Sequence, residues 1–228
     1  MRKRPKSKQR QTGQSLQPHV RQARATAKMN PAEKLLHKAE FICSVPKAAL
    51  GPADTGGEVA FAGRSNAGKS SALNTMTRQN ALARTSKTPG RTQHIVYFSL
   101  TPEWRLVDLP GYGYAKVTTK VKQEWGQAIE EYLNTRQSLR GMVLLMDIRH
   151  PLTEHDVQFI EWCDATDMPL LVLLTKSDKL KFGAAKASLL QVQQALIELP
   201  DVKVMLFSAL KGDGVAQACE VVATWLAG

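Results

Sequence analysis

Gly63-Arg64-Ser65-Asn66-Ala67-Gly68-Lys69-Ser70 decides how the rest of this chain is read. The octapeptide matches the phosphate-loop pattern G-x-x-x-x-G-K-[ST], and its setting gives the match a mechanism. Before it, Glu58-Val59-Ala60-Phe61-Ala62 predicts a strand; after it, Ser70 to Met76 predicts the opening of a helix. The glycines let the backbone turn tightly enough for successive N–H groups to face one anion. The helix that follows offers its positive end to the same anion. Lys69 is then placed to lie along the β- and γ-phosphates of a nucleotide, and the Ser70 hydroxyl to hold Mg²⁺.

Outward from this stretch the chain alternates strand and helix signals. Apolar runs fall at Val59–Ala62, Ile95–Leu100, Leu106–Val107, Met142–Met146, Leu170–Leu174 and Val204–Phe207. The last three are continuous, the pattern of parallel strands covered on both faces. Helical stripes lie between them: Val121, Trp125, Ala128, Ile129 and Tyr132; Leu189, Val192, Leu196 and Leu199; Val215, Ala218, Cys219, Val222 and Leu226. Thr153 with Asp156 marks a capped helix start ahead of Val157, Ile160 and Cys163. Only Thr101-Pro102-Glu103 separates His94–Leu100 from Trp104–Asp108, which predicts one antiparallel hairpin. The expected architecture is a three-layer α/β sandwich around a mostly parallel sheet with an antiparallel edge hairpin. Residues 1–30 form a basic tail, residues 31–57 a helix, an edge strand (Phe41 to Val45) and a turn-rich connector, and residues 58–228 one nucleotide-binding domain.

Composition narrows the class. At 228 residues with 43% hydrophobic content the chain can bury an ordinary core. The longest apolar runs, such as Leu170 to Leu174, are far short of a bilayer span, and no secretory pattern opens the chain. Cys43, Cys163 and Cys219 lie too far apart for a disulfide framework or metal-ligand spacing, and read as buried small hydrophobes in a reducing compartment. The net charge of +11 is concentrated: Met1 to Lys28 carries nine Lys/Arg and no acid, leaving 22 basic against 20 acidic residues elsewhere. This tail is too polar to fold alone. It reads as an arm for nucleic-acid phosphates, a solvated tail without a target, or an organellar transit peptide. A cytoplasmic monomer without a membrane partner is expected, organellar under the third reading.

Four polar motifs follow four strand ends, where sheets of this kind bind ligands. Thr175-Lys176-Ser177-Asp178 is the base reader. A carboxylate at Asp178 accepts from guanine N1–H and the exocyclic amine, whereas adenine would leave it unpaired. Lys176 lays its stem over the base. Ser208-Ala209-Leu210 offers a backbone N–H, that of Ala209, to the guanine carbonyl. In Asp108-Leu109-Pro110-Gly111 the aspartate is placed to hold Mg²⁺ through water and the Gly111 N–H to contact the γ-phosphate. Thr85-Ser86-Lys87-Thr88-Pro89-Gly90-Arg91-Thr92-Gln93 is polar and Gly/Pro-punctuated, the composition of a segment that closes over a ligand, with one threonine hydroxyl on Mg²⁺. Arg84, Lys87 and Arg91 here, and Lys116, Lys120 and Lys122 further on, could touch RNA or form a solvated face.

The set G-R-S-N-A-G-K-S, T-P-G-R-T-Q, D-L-P-G-Y-G-Y-A, D-I-R-H-P-L-T-E-H-D, T-K-S-D and S-A-L-K resembles the EngB-type (YihA/YsxC) GTPases of the TrmE–Era branch, over about residues 35–228. Asp147-Ile148-Arg149-His150-Pro151 and Tyr112-Gly113-Tyr114 point to that family over its neighbours. The resemblance implies a P-loop GTPase fold and a GTP/GDP switch with Mg²⁺ that acts in large ribosomal subunit assembly, with rRNA and precursor particles as partners. The family is also linked to normal cell division and septation. It implies that Gly63–Ser70 bind phosphates, Gly90 to His94 bind the nucleotide, Asp108–Gly111 sense the γ-phosphate, Thr175–Asp178 read guanine and Ser208–Leu210, beside Phe207, complete the base pocket. It places Mg²⁺ on Ser70, Thr92 and Asp108, and the chemistry on Lys69, Thr92, Asp108 and Gly111.

Two residues depart from the wider G-protein pattern. Thr175 stands for the usual Asn, and a hydroxyl cannot make all the bonds of an amide. Tyr112 stands where many G proteins place a water-orienting Gln, so intrinsic hydrolysis should be slow. In related G proteins an Asn at the position of Asn66 accompanies a monovalent cation, which raises K⁺ as a second cofactor; the alternative is a hydrogen bond within the loop. Arg149 and His150 read as partner-binding or loop-bracing residues. A reading from another class also stands: an RNA-binding module that keeps guanine nucleotide as a structural ligand.

Overall fold

The computed structural model describes residues 29–83, 94–112 and 119–228, with side chains from 126 onward in the last span. The elements are α1 (Pro31–His37), β1 (Glu40–Val45), β2 (Gly57–Gly63), α2 (Lys69–Met76), β3 (Ile95–Ser99), β4 (Trp104–Asp108), α3 (Thr119–Thr135), β5 (Leu139–Asp147), α4 (Glu154–Ala165), β6 (Leu170–Thr175), α5 (Phe182–Ala195), β7 (Val202–Leu206) and α6 (Val215–Ala227). Short 3₁₀ turns lie at Ala48–Leu50 and Ser177–Lys179. Residues 1–28 of the expected basic tail, the 84–93 segment and residues 113–118 lie outside the described residues.

One seven-stranded sheet runs in the order β1-β3-β4-β2-β5-β6-β7. β3 is antiparallel to both neighbours, β1 and β4, and the remaining pairs are parallel. The β3–β4 hairpin closes where Thr101-Pro102-Glu103 predicts it, with Thr101 Oγ1 accepting from the Glu103 and Trp104 amides at 3.3 and 3.0 Å. β1 takes the outer position beside β3, with a register shift between Phe41 and Cys43 that breaks its pairing edge.

Alternation along the strands builds the three layers. Val59, Phe61, Val143, Leu145, Leu171 and Leu173 face Leu36 of α1, Leu73 and Met76 of α2, and Cys219, Val222 and Leu226 of α6. Ala60, Ala62, Met142, Leu144, Val172 and Leu174 face Ile129 and Tyr132 of α3, Ile160 and Cys163 of α4, and Val192 of α5. β2 and β6 are buried along their whole length, as the continuous apolar runs require. β7 corrects that expectation: it is an edge strand, so Val204, Met205 and Leu206 are only half-buried. Apolar continuity alone does not separate a central strand from an edge strand packed under helices.

Both Cys163 and Cys219 are buried, and burial pushes their thiols up to about 12. At the amino-terminal end of the parallel strands, away from the phosphate loop, Glu58 is wholly buried. It accepts from Arg105 Nε at 2.8 Å, from the Tyr132 hydroxyl at 3.0 Å and from Arg136. Two guanidiniums and a phenol satisfy this carboxylate and tie β2, β4 and α3 together.

Candidate nucleotide-binding site

Gly63–Ser70 runs from the end of β2 into the first turn of α2. Gly63 passes so close to β5 that a Cβ there would lie 2.7 Å from the Leu145 carbonyl oxygen. Gly68 takes φ +98°, a conformation open to glycine and strained for other residues. These two positions explain why the pattern needs glycine at its ends. Lys69 is buried, and its ammonium pairs directly with the buried Asp108 carboxylate at the end of β4. Ser70 stands beside it, half-buried.

Parallel pairing sets this geometry. Phe61 lies opposite Asp108 in the β2–β4 register, and the Leu109 amide donates to Phe61 O at 3.0 Å. Asp108-Leu109-Pro110-Gly111 is thereby laid across the phosphate loop. A Cβ on Gly111 would lie 3.6 Å from Ser65 N and Cα. The Ser65 amide donates to Tyr112 O at 2.8 Å.

The second half of the site comes from β5, β6 and β7. Thr175 is buried at the end of β6, and its Oγ1 reaches the carbonyls of Ala67 and, at 3.0 Å, Met146. One hydroxyl proton serves one carbonyl at a time, where an amide would offer two. Lys176, at φ +58°, extends Nζ to Asn66 O at 2.6 Å and to Asp147 Oδ2 at 2.9 Å. Asp178 Oδ1 accepts from the buried Ser208 hydroxyl at 2.7 Å, and Ser208 Oγ in turn accepts from the Lys211 amide at 3.0 Å. The Phe207 amide donates to Leu174 O at 2.9 Å and Ser177 N to Phe207 O at 3.2 Å, which locks the β6 and β7 loops together.

Gly63, Arg64, Ser65, Asn66, Ala67, Gly68, Lys69, Ser70, Asp108, Leu109, Pro110, Gly111, Thr175, Lys176, Ser177, Asp178, Phe207, Ser208 and Ala209 thus gather at one edge of the sheet. Gly90, Arg91, Thr92 and Gln93 lie outside the described residues, as do Arg84, Lys87 and Lys116. His94 is exposed beside β3, its ring 3.2 Å from Ser44 Oγ. Asn66 takes φ +66°, and its carbonyl receives Lys176.

The contacts of two neighbours escape a motif-based reading. Asp147 ends β5 and holds both Lys176 and Arg149, whose Nε and Nη2 donate at 2.9 and 2.6 Å. The Arg149 hydrogen bond, with help from Lys176, keeps the Asp147 carboxyl well below the usual range. Arg149 thus braces the loop, as one of its expected roles had it. Asp156 is the second neighbour: it receives the Tyr112 hydroxyl at 2.7 Å. The D-x-R spacing after a buried strand and the Thr153–Asp156 cap were visible signals, but neither names its distant partner.

Comparison with known proteins bears on this geometry. Residues 58–176 match the family model described as 50S ribosome-binding GTPase. The chain is 57% identical over 188 residues to a probable GTP-binding protein EngB of Idiomarina loihiensis, covering 82% of this chain and 91% of that one. It is 56% identical over 186 residues to the protein of the same name in Escherichia coli, covering 81% and 89%. The chain belongs to the EngB family of GTP-binding proteins.

A crystal structure of a probable GTP-binding protein engB matches with a TM-score of 0.61 at 22% identity, over 75% of this chain and 98% of that one. Era in complex with MgGDPNP and a 16S ribosomal RNA fragment matches with a TM-score of 0.58 at 20% identity, over 75% and 57%. At these identities the matches speak for the P-loop GTPase fold alone. As an EngB-family member the chain is a GTP-binding protein of a GTPase family.

The donor set also suits the divalent ion such GTPases use. Ser70 and Asp108 offer hard oxygen ligands, one hydroxyl and one carboxylate, at the mouth of the phosphate loop. Among the described residues no group of three or more His, Cys, Asp or Glu forms a protein-only metal cage. An ion held by the Ser70 hydroxyl, and by Asp108 through water, would take its remaining ligands from phosphate and water, as Mg²⁺ does.

Proposed function

We propose that this EngB-family protein is a GTP/GDP switch that acts in assembly of the large ribosomal subunit, hydrolysing GTP slowly until a ribosomal particle speeds it. One observation carries the reading: the Lys69–Asp108 pair and the Asp178–Ser208 pair stand at the same edge of one sheet, joined by the Lys176 bridge to Asn66. The first pair suits phosphates and the second suits a base. The match to a family model described as 50S ribosome-binding GTPase supports a ribosomal partner, and the charge of +11 suits rRNA.

The residues divide the work. Backbone N–H groups of Gly63 to Ser70 bind phosphate oxygens, and Lys69 moves from Asp108 to the β- and γ-phosphates. Ser70 and Thr92, with Asp108 through water, would hold Mg²⁺, which when bound would offset charge on the phosphates. Gly111 N–H binds the γ-phosphate. Asp178 accepts from guanine N1–H and N2, and Ala209 N–H, beside Phe207 and Ser208, donates to its carbonyl. Gly90 to His94 would add further contacts to the nucleotide. Tyr112 has its hydroxyl committed to Asp156, so it does not orient the attacking water, and intrinsic turnover is slow. K⁺ beside Asn66 would offset charge on the phosphates. Equal turnover in K⁺ and Na⁺ would remove that ion from the account.

Steady GTP turnover, raised by large-subunit particles but not by small-subunit ones, tests the proposal. Co-sedimentation with the GTP analogue but not with GDP is the second expected result. A particle bound equally with either nucleotide, without accelerated turnover, would favour the RNA-binding module that merely keeps a guanine nucleotide. A cytoplasmic location and the family link to cell division and septation belong to the same proposal.

A further inference from the structure

Tyr112 occupies the position after Gly111 where a water-orienting side chain is absent, and its contacts give it a different task. Its hydroxyl donates to Asp156 Oδ1 at 2.7 Å. Its ring stacks on Phe159 with centroids 5.1 Å apart and meets the His155 ring at 5.7 Å. Three side chains of one helix, α4, therefore grip one residue of the loop after β4. Asp156 is itself fixed: it is buried, and its other oxygen accepts from Thr153 N at 2.9 Å and Thr153 Oγ1 at 2.7 Å. Burial and the Asp156 carboxylate push the Tyr112 phenol well above its ordinary value, so it remains a donor across the physiological range. On the backbone side, Tyr112 O receives the Ser65 amide, and Arg64 and Tyr112 form an isolated parallel bridge. Gly111 is thus held between the phosphate loop and a residue anchored to α4.

We propose that Tyr112 and Asp156 form a latch that fixes the Gly111 amide in the γ-phosphate position before nucleotide arrives. Tyr112 is a positioning residue that acts through Gly111, and the proposal rests on the GTP-switch reading above. The latch spares the triphosphate complex the entropy of ordering Gly111, and the diphosphate, with no γ-phosphate, gains nothing from it. The latch therefore sets the ratio of GTP to GDP affinity rather than affinity as such.

Fluorescent GDP and a non-hydrolysable GTP analogue, titrated in Mg²⁺ into the full chain, test this. Tyr112→Phe keeps the ring stack and removes the donor. It should lower affinity for the analogue about three- to tenfold, the range of one net hydrogen bond, and leave GDP affinity unchanged. Asp156→Ala should shift the ratio by a similar factor, and the double variant no further than either single one. An unchanged ratio in Tyr112→Phe, or independent additive losses from the two substitutions, would overturn the latch while leaving the GTP reading intact. Failure of the unaltered protein to bind either nucleotide would overturn the parent reading and the latch with it.

Discussion

Buried charge explains most of what single residues do here. Glu58 is wholly enclosed, and three donors make that tolerable. Glu58→Gln leaves Arg105 and Arg136 without their anion, and should destabilise the fold by about 3 kcal/mol in urea melts, with nucleotide specificity unchanged. Lys69 and Asp108 form the comparable pair at the opposite end of the strands, and under the proposed function each would lose the other when a nucleotide enters. Asp147 gives a pH-dependent term. Its carboxyl sits below the usual range, so its stabilisation is complete above an unfolded value of about 4 and fades as pH falls through and below it. Between pH 7 and pH 3 the urea midpoint of the wild type should fall more than that of Asp147→Asn. Equal falls would show that Arg149 and Lys176 do not hold the carboxylate.

Elements follow from patterns that a sequence can carry, up to the point where distant partners matter. The phosphate loop was legible because its glycines, Lys69 and Ser70 are local to one strand–turn–helix unit. The β3–β4 hairpin was legible because Thr101-Pro102-Glu103 is too short for anything else. The exposed side of β7 was not, since Val204 to Leu206 reads the same whether a further strand flanks it or not. Nor were the bonds from Lys176 to Asn66 and from Tyr112 to Asp156, which join residues 110 and 44 positions apart. Their residue types were visible, but their meeting depends on the order of strands in the sheet. Packing between elements offers its own test. A Cβ on Gly141 of β5 would come within 2.4 Å of the Trp225 ring of α6. Gly141→Ala should therefore cost about 2 kcal/mol of stability, read by thermal or urea melts.

At the scale of the whole molecule the sheet is a frame that brings local motifs to one edge. β2, β4, β5, β6 and β7 run parallel, so their carboxyl ends and the loops that follow lie side by side. The excess charge lies elsewhere, in residues 1–28, whose removal takes nine positive charges from the chain. If that tail binds rRNA, its deletion should flatten the salt dependence of particle binding and leave nucleotide affinity unchanged. Under the proposed function, nucleotide preference belongs to the folded domain, and within it to Asp178. Calorimetric titration in Mg²⁺ with GDP, ADP and XDP, on the wild type and on Asp178→Asn, reads this directly. The wild type should bind GDP and not ADP, and Asp178→Asn should exchange that preference for XDP, whose second carbonyl needs a donor. Equal heats with GDP and ADP in the wild type, or an unaltered preference in the variant, would contradict a guanine nucleotide seated at this edge of the sheet.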